Sequence, residues 1–212
     1  MSPHVHLFDG RRRRVAQMAL ALAATVVVGA CNNTRVSRID PASVTDLSGR
    51  WNDADSRLVA NALITQSLDA AWSKQWAETH GGRTPTVIVG GFANRTLEHI
   101  PVTTFTRDLE RAYVSSGAVR IVASNDERQS VRTERADQQA NAIADTRARV
   151  AMEQGAQFML QGDVQAIEDA QGRERVVTYQ IDATLVDLES NAKVWVGQHR
   201  IKKLVDRRRI GW

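Results

Sequence analysis

Three runs near the C-terminus constrain the fold more than any other feature. Phe158, Leu160, Gly162, Val164 and Ala166 alternate with Met159, Gln161, Asp163 and Gln165. Val177, Tyr179, Ile181, Ala183 and Leu185 alternate with Thr178, Gln180, Asp182 and Thr184, and Lys193-Val194-Trp195-Val196 opens a third run reaching about Lys203. A period of two puts one set of side chains on each face of a strand, so each run buries one face and wets the other. Asp169-Ala170-Gln171-Gly172 and Glu189-Ser190-Asn191 supply the turns, which makes the three strands an antiparallel meander.

Upstream the period is helical. Asn52-Asp53-Ala54-Asp55 offers caps and first-turn acids. Leu58, Val59, Ala62, Leu63, Leu68, Ala71, Trp72 and Trp76 then recur at helical spacing until His80-Gly81-Gly82. Thr86-Val87-Ile88-Val89 reads as a short buried strand ended by Gly90-Gly91. A second helix carries Phe105, Leu109, Ala112 and Tyr113 and stops at Gly117, and Val119–Ala123 is a second strand. A third helix is expected from about Ser130 to Gln154, with a narrow stripe of Ala136, Ala140, Ile143, Ala144, Val150 and Ala151. The order α-β-α-β-α-β-β-β implies an α/β fold, a mixed sheet of about five strands packed against helices.

The expected domain spans residues 50–205. Ahead of it, residues 31–49 carry turn formers without apolar periodicity and read as a flexible linker; residues 206–212 form a basic tail, to which Lys202-Lys203 lead. Residues 1–30 have a different character. Arg11 to Arg14 precede an apolar run, Met18–Val28, followed by Gly29-Ala30 and the single cysteine, Cys31. A positive start, a short apolar core and small residues before a cut describe an export signal, too short to span a bilayer. An exported chain with one cysteine has no internal disulfide, so the thiol is free, bonded to another chain or modified. Residues 1–30 hold four of the 28 basic and one of the 24 acidic residues, leaving 24 and 23, a net +1 for the rest. The body therefore carries no general electrostatic footprint for nucleic acid.

Chemistry is sparse. His80, His99 and His199 have no ligand spacing, and Arg57 and Leu58 interrupt what begins like a calcium loop at Asp53. Gly90-Gly91 lacks both a GxGxxG pattern and a Walker lysine, and no G-x-S-x-G occurs. The carboxylate pairs Asp108/Glu110 and Glu168/Asp169 read as solvated surface. No cofactor, metal or small-molecule ligand is expected, and the chain does not read as an enzyme. Trp72, Trp76 and Trp195 are expected in the core; Trp51 and Trp212, at the edges of the fold, are candidate exposed anchors for a partner. Arg128, Arg132 and Arg135 crowd the approach to the third helix and are the other candidates for a partner surface, unless Glu134 and Asp137 pair with them on a solvated face.

Several segments together carry a resemblance. Val28-Gly29-Ala30-Cys31 resembles the bacterial lipobox, with cleavage between Ala30 and Cys31 and lipid on the Cys31 thiol. Gly49–Val59, PTVIVGGFANRTLEHI (85–100), FTRDLERAYVSSGAVRIVAS (105–124), GAQFMLQGDV (155–164) and YQIDATLVDLESNAKVWVGQHRIKK (179–203) resemble the LpoB-like outer-membrane lipoproteins. That resemblance implies a small α/β sandwich and a non-enzymatic role. Such a lipoprotein hangs from the outer membrane, faces the periplasm and docks on a class A penicillin-binding protein, raising its peptidoglycan synthesis. Asn32, where aspartate retains lipoproteins in the inner membrane, fits the outer membrane. The best-known members carry a longer tether; here residues 32–49 reach at most about 60 Å when extended. Other readings of the same features are an envelope assembly lipoprotein that binds another protein or peptidoglycan, and an envelope hydrolase.

Overall fold

A computed structural model describes residues 36–149 and 153–206. The chain divides into two units, residues 1–41 and 42–212. Of the first, residues 36–41 are described; all are exposed and outside helices and strands. The signal peptide, the Ala30–Cys31 junction, most of the basic tail and Trp212 lie outside the described residues.

The second unit holds α1 (Asp53–Asp69), α2 (Trp72–Thr79), β1 (Thr86–Asn94), α3 (Val102–Ser116), β2 (Arg120–Ile121), α4 (Asn125–Asn141), β3 (Phe158–Gln171), β4 (Glu174–Asp187) and β5 (Lys193–Asp206). The five strands form one sheet in the order β2-β1-β3-β4-β5. β1 runs parallel to β2 and β3, and β3-β4-β5 are antiparallel, the expected meander. The alternation holds: Phe158, Leu160, Val164, Val177, Tyr179, Ile181, Ala183 and Leu185 are buried.

α1 and α3 supply the helical side of the core, with Val59, Leu63 and Ile64 meeting Phe105, Leu109 and Tyr113. A reciprocal capping box starts α1, Asn52 accepting from the Asp55 amide and Asp55 from the Asn52 amide. Ser67 Oγ and Tyr113 Oη lie 2.7 Å apart and tie the two helices; burial pushes the phenol up to about 12, with the Ser67 hydrogen bond acting the other way. Gly117, with φ 65°, closes α3 as expected.

Five expectations need correction. The first helix is two helices, because Ala70 turns extended and the Trp72 indole donates to the Ser67 carbonyl at 2.7 Å, turning its ring onto Phe158. Leu58, one step off the buried stripe, is exposed. β1 does not stop at Gly90-Gly91; its register shifts between Val89 and Phe92, and the strand continues to Asn94. That shift lays Phe92 over Gly162, where a Cβ would overlap the Phe92 ring and the Asp182 carbonyl oxygen. Finally, α4 begins at Asn125, on a Ser124–Glu127 capping box, and ends at Asn141 instead of Gln154. None of its side chains is buried and Ile143 is exposed, since an alanine stripe offers too little apolar area to hold a long helix on the body. β2 is also shorter than Val119–Ala123.

Candidate partner-binding surface

The end of α4 explains the arginines. A continuous helix from 130 to 154 would put Arg132 and Glu153 about 32 Å apart. Because the helix stops at Asn141, the chain returns, and Arg132 grips Glu153 with both arms of its fork, Nε to Oε1 at 2.9 Å and Nη2 to Oε2 at 2.8 Å. Arg135 Nη1 stands 3.5 Å from the same carboxylate. The Arg132 hydrogen bond, with the charges of Arg132, Arg135 and Arg128, holds the Glu153 carboxyl below its ordinary value. Glu134 and Asp137, the neighbours expected to pair with the arginines, accept instead from Gln138 and Asn141. Two guanidinium groups thus share one carboxylate, with the charge of a third, Arg128, felt there as well. Arg128 Nε is buried and has no hydrogen-bond partner among the described residues.

Arg128 also lines a groove of about 580 Å³ between the β1 bend at Gly90-Gly91, the first turns of α3 and the start of α4. Phe92, Val102 and Met159 give it an apolar floor; Arg107, Glu110 and Glu127 rim it. Burial, and then the charge of Glu127, raise the Glu110 carboxyl above its ordinary value, with Arg107 acting against them. Hydrogen bonds from the Ser124 amide and hydroxyl hold Glu127 below its own. Among the described residues no group of three histidine, cysteine or carboxylate side chains is placed to hold a metal. The groove is open and mixed in polarity, with the character of a contact surface.

Trp51 is half-buried rather than exposed. Its ring meets Phe105 and Tyr179 edge-on at 6.0 and 5.6 Å, and its Nε1 donates to Ser56 Oγ at 2.8 Å. Behind it, Glu98 accepts from the Trp51 amide and the Tyr179 hydroxyl. Trp72 is buried as expected, while Trp76 is partly buried with His80 stacked on it at 4.2 Å. Trp195 is half-buried and lies over Gly197, where a Cβ would overlap its ring.

Lys203 corrects the expected extent of the linker at residues 31–49. It belongs to β5, opposite Val177, and is buried. Its Nζ donates to Asp55 Oδ2 at 2.5 Å, Asp46 Oδ1 at 2.6 Å and the Arg50 carbonyl at 3.1 Å. Asn52 Nδ2 adds bonds to Asp46 and to the Thr45 carbonyl, so the end of the expected linker is fastened to the body. Sequence reasoning missed both Glu153 and Lys203, because each acts across a chain separation that no local period reports.

A family model described as peptidoglycan-synthase activator LpoB matches residues 55–201. No curated protein matches the chain. Among solved structures, the LpoB C-terminal domain from Salmonella enterica is 16% identical, with 70% of this chain and 99% of that one covered and a TM-score of 0.38. The solution structure of Escherichia coli LpoB is 13% identical, with 84% and 85% covered and a TM-score of 0.40. A lipoprotein from Neisseria meningitidis is 18% identical, with 59% and 88% covered and a TM-score of 0.37. The family is one of regulators rather than enzymes, and the matched segment runs from the first turn of α1 into β5. The chain belongs to the LpoB family of peptidoglycan-synthase activators.

Proposed function

We propose that this chain is an outer-membrane lipoprotein, anchored through Cys31 and facing the periplasm, that binds and stimulates a class A penicillin-binding protein. The match of the family model to residues 55–201 carries this reading. The Arg-led apolar run ending in Gly29-Ala30-Cys31 supports the anchor, and Asn32 supports the outer membrane. Three acyl chains exceed the two signals that stable anchoring takes, and no helix among the described residues is long and apolar enough to cross a membrane.

The mode of action follows from linkage. An activator shifts its target only by binding the active conformer more tightly than the inactive one. The groove and the flanking Arg128, Arg132 and Arg135 are the surface we assign to that task, since they hold charge and apolar area that the core does not use. The fastened Thr45–Arg50 segment leaves 13 residues, 32–44, ahead of it, a reach of at most roughly 45 Å when extended. The synthase domain it meets must therefore stand well out from the inner membrane.

The test is a glycan-polymerisation assay with a purified class A synthase from the same organism. The lipoprotein should raise the rate in a dose-dependent way, and Cys31→Ser should lose acyl labelling in cells while the purified protein still stimulates. A rate unchanged by saturating lipoprotein would sink the reading.

A further inference from the structure

The segment from Asn94 to His99 is held with unusual economy for a surface loop. Asn94 Oδ1 accepts from the Thr96 amide at 2.9 Å and the Thr96 hydroxyl at 2.7 Å, while Asn94 Nδ2 donates to the Glu98 carbonyl at 2.7 Å. Thr96 Oγ1 accepts from the Glu98 amide at 3.1 Å. Both ends are fixed. The Arg95 amide donates to the Val164 carbonyl at 2.8 Å, the Glu98 carboxylate is turned inward to Trp51 and Tyr179, and Ile100 is buried.

All of this surrounds one side chain. Leu97 stands at the tip with 108% relative exposure, touching nothing that its burial would stabilise. Lone exposed leucines are common and need no explanation. Here, however, the neighbouring polar side chains are spent on holding the turn, which removes the ordering entropy that a flexible loop loses on binding. The outward flanks are Arg95 and His99, both exposed; Arg95 has no ion-pair partner among the described residues, and Glu98, the loop's carboxylate, faces inward. The loop then leads through Ile100-Pro101 to Val102, which lines the groove beside Arg128.

We infer that this loop is a preformed docking knob that inserts Leu97 into an apolar, acid-rimmed pocket on the synthase, next to the groove. The inference rests on the function proposed above and names a contact for it. A positive, carboxylate-free flank selects an acidic rim, and a rigid single leucine selects a pocket.

Full-length lipoprotein in detergent, titrated into the purified synthase, tests it. Leu97→Ser and Leu97→Gln should each weaken binding about tenfold or more while leaving the thermal midpoint of the lipoprotein unchanged. Asn94→Ala keeps the leucine but frees the turn, and should weaken binding by a smaller factor. Arg95→Glu should weaken it most at low salt. Parent binding that both Leu97 variants retain within about twofold overturns the inference alone. Absence of parent binding overturns the proposed function and this contact with it. Vesicles of phosphatidylethanolamine and phosphatidylglycerol provide the second arm. If the Leu97 variants lose vesicle binding but keep the synthase, the knob belongs to a membrane and the inference falls.

Discussion

At the scale of single residues, Lys203 and Gly162 illustrate how one position can hold a fold. Lys203 is buried against Asp55, itself buried, and reaches the more exposed Asp46. Taking either charge alone strands the other, which costs about 3–5 kcal/mol in buried pairs. Lys203→Met should therefore lower unfolding free energy by roughly 3 kcal/mol in urea titration, and Lys203→Met with Asp55→Leu should recover part of that loss. Burial works against the ammonium, but hydrogen bonds to Asp46 and Asp55 outweigh it and raise the Lys203 amine above its ordinary 10.5. A raised folded value means that the contribution is complete below the unfolded value and fades as pH climbs through the folded one. Stability of the parent should accordingly fall in the alkaline range above about 10.5, and that slope should be absent in Lys203→Met. Gly162 is a second such point. A methyl there meets the Asp182 carbonyl oxygen and Phe92, so Gly162→Ala should destabilise by about 1–3 kcal/mol, whereas Gly155→Ala, with open space, should not.

At the scale of elements, the meander was legible and α4 was not, for one physical reason. β3 buries Phe158, Leu160 and Val164 and β4 every second residue from Val177 to Leu185, and a period of two survives in the sequence because a single slip would invert every side chain. α4 has no buried residue, so its length follows from caps and from one distant carboxylate, and its alanine stripe suggested a longer helix than forms. The break after Asp69 was equally hidden, because it comes from Trp72 turning onto Phe158 and involves no glycine or proline. Of the candidate surface, the arginines were visible as a cluster; their convergence on Glu153 was not, since it depends on where α4 ends. Glu153 is held below its ordinary carboxyl value, so its grip on α4 is present above 4.5 and is lost as pH falls through the depressed value. Hydrogen-exchange protection factors along the second half of α4 should fall as the pH drops below 4.5 and should already be low at pH 7 in Glu153→Gln, while the β4 amides stay protected in both.

At the scale of the whole molecule, the question is where the tether ends and the body begins. Sequence composition puts that point near Arg50, but the bonds from Lys203 and Asn52 move it back to Thr45. The difference has mechanical meaning for a chain held at a lipid. A pull on the chain ahead of Thr45 would be met at Asp46, which accepts from Lys203 and from Asn52, the cap of α1. Gly49, with φ 68°, lets the backbone turn against Val205; any side chain there would overlap it. A body that begins at residue 36 should therefore keep the full thermal midpoint, whereas one that begins at residue 51 should lose about 1–3 kcal/mol, because Lys203 then lacks Asp46 and the Arg50 carbonyl. Gly49→Ala in the longer body should lie between the two. Equal stability of the two truncations in guanidinium titration would return the boundary to Arg50 and add the five residues 45–49 to the linker, about 17 Å of additional reach toward the synthase.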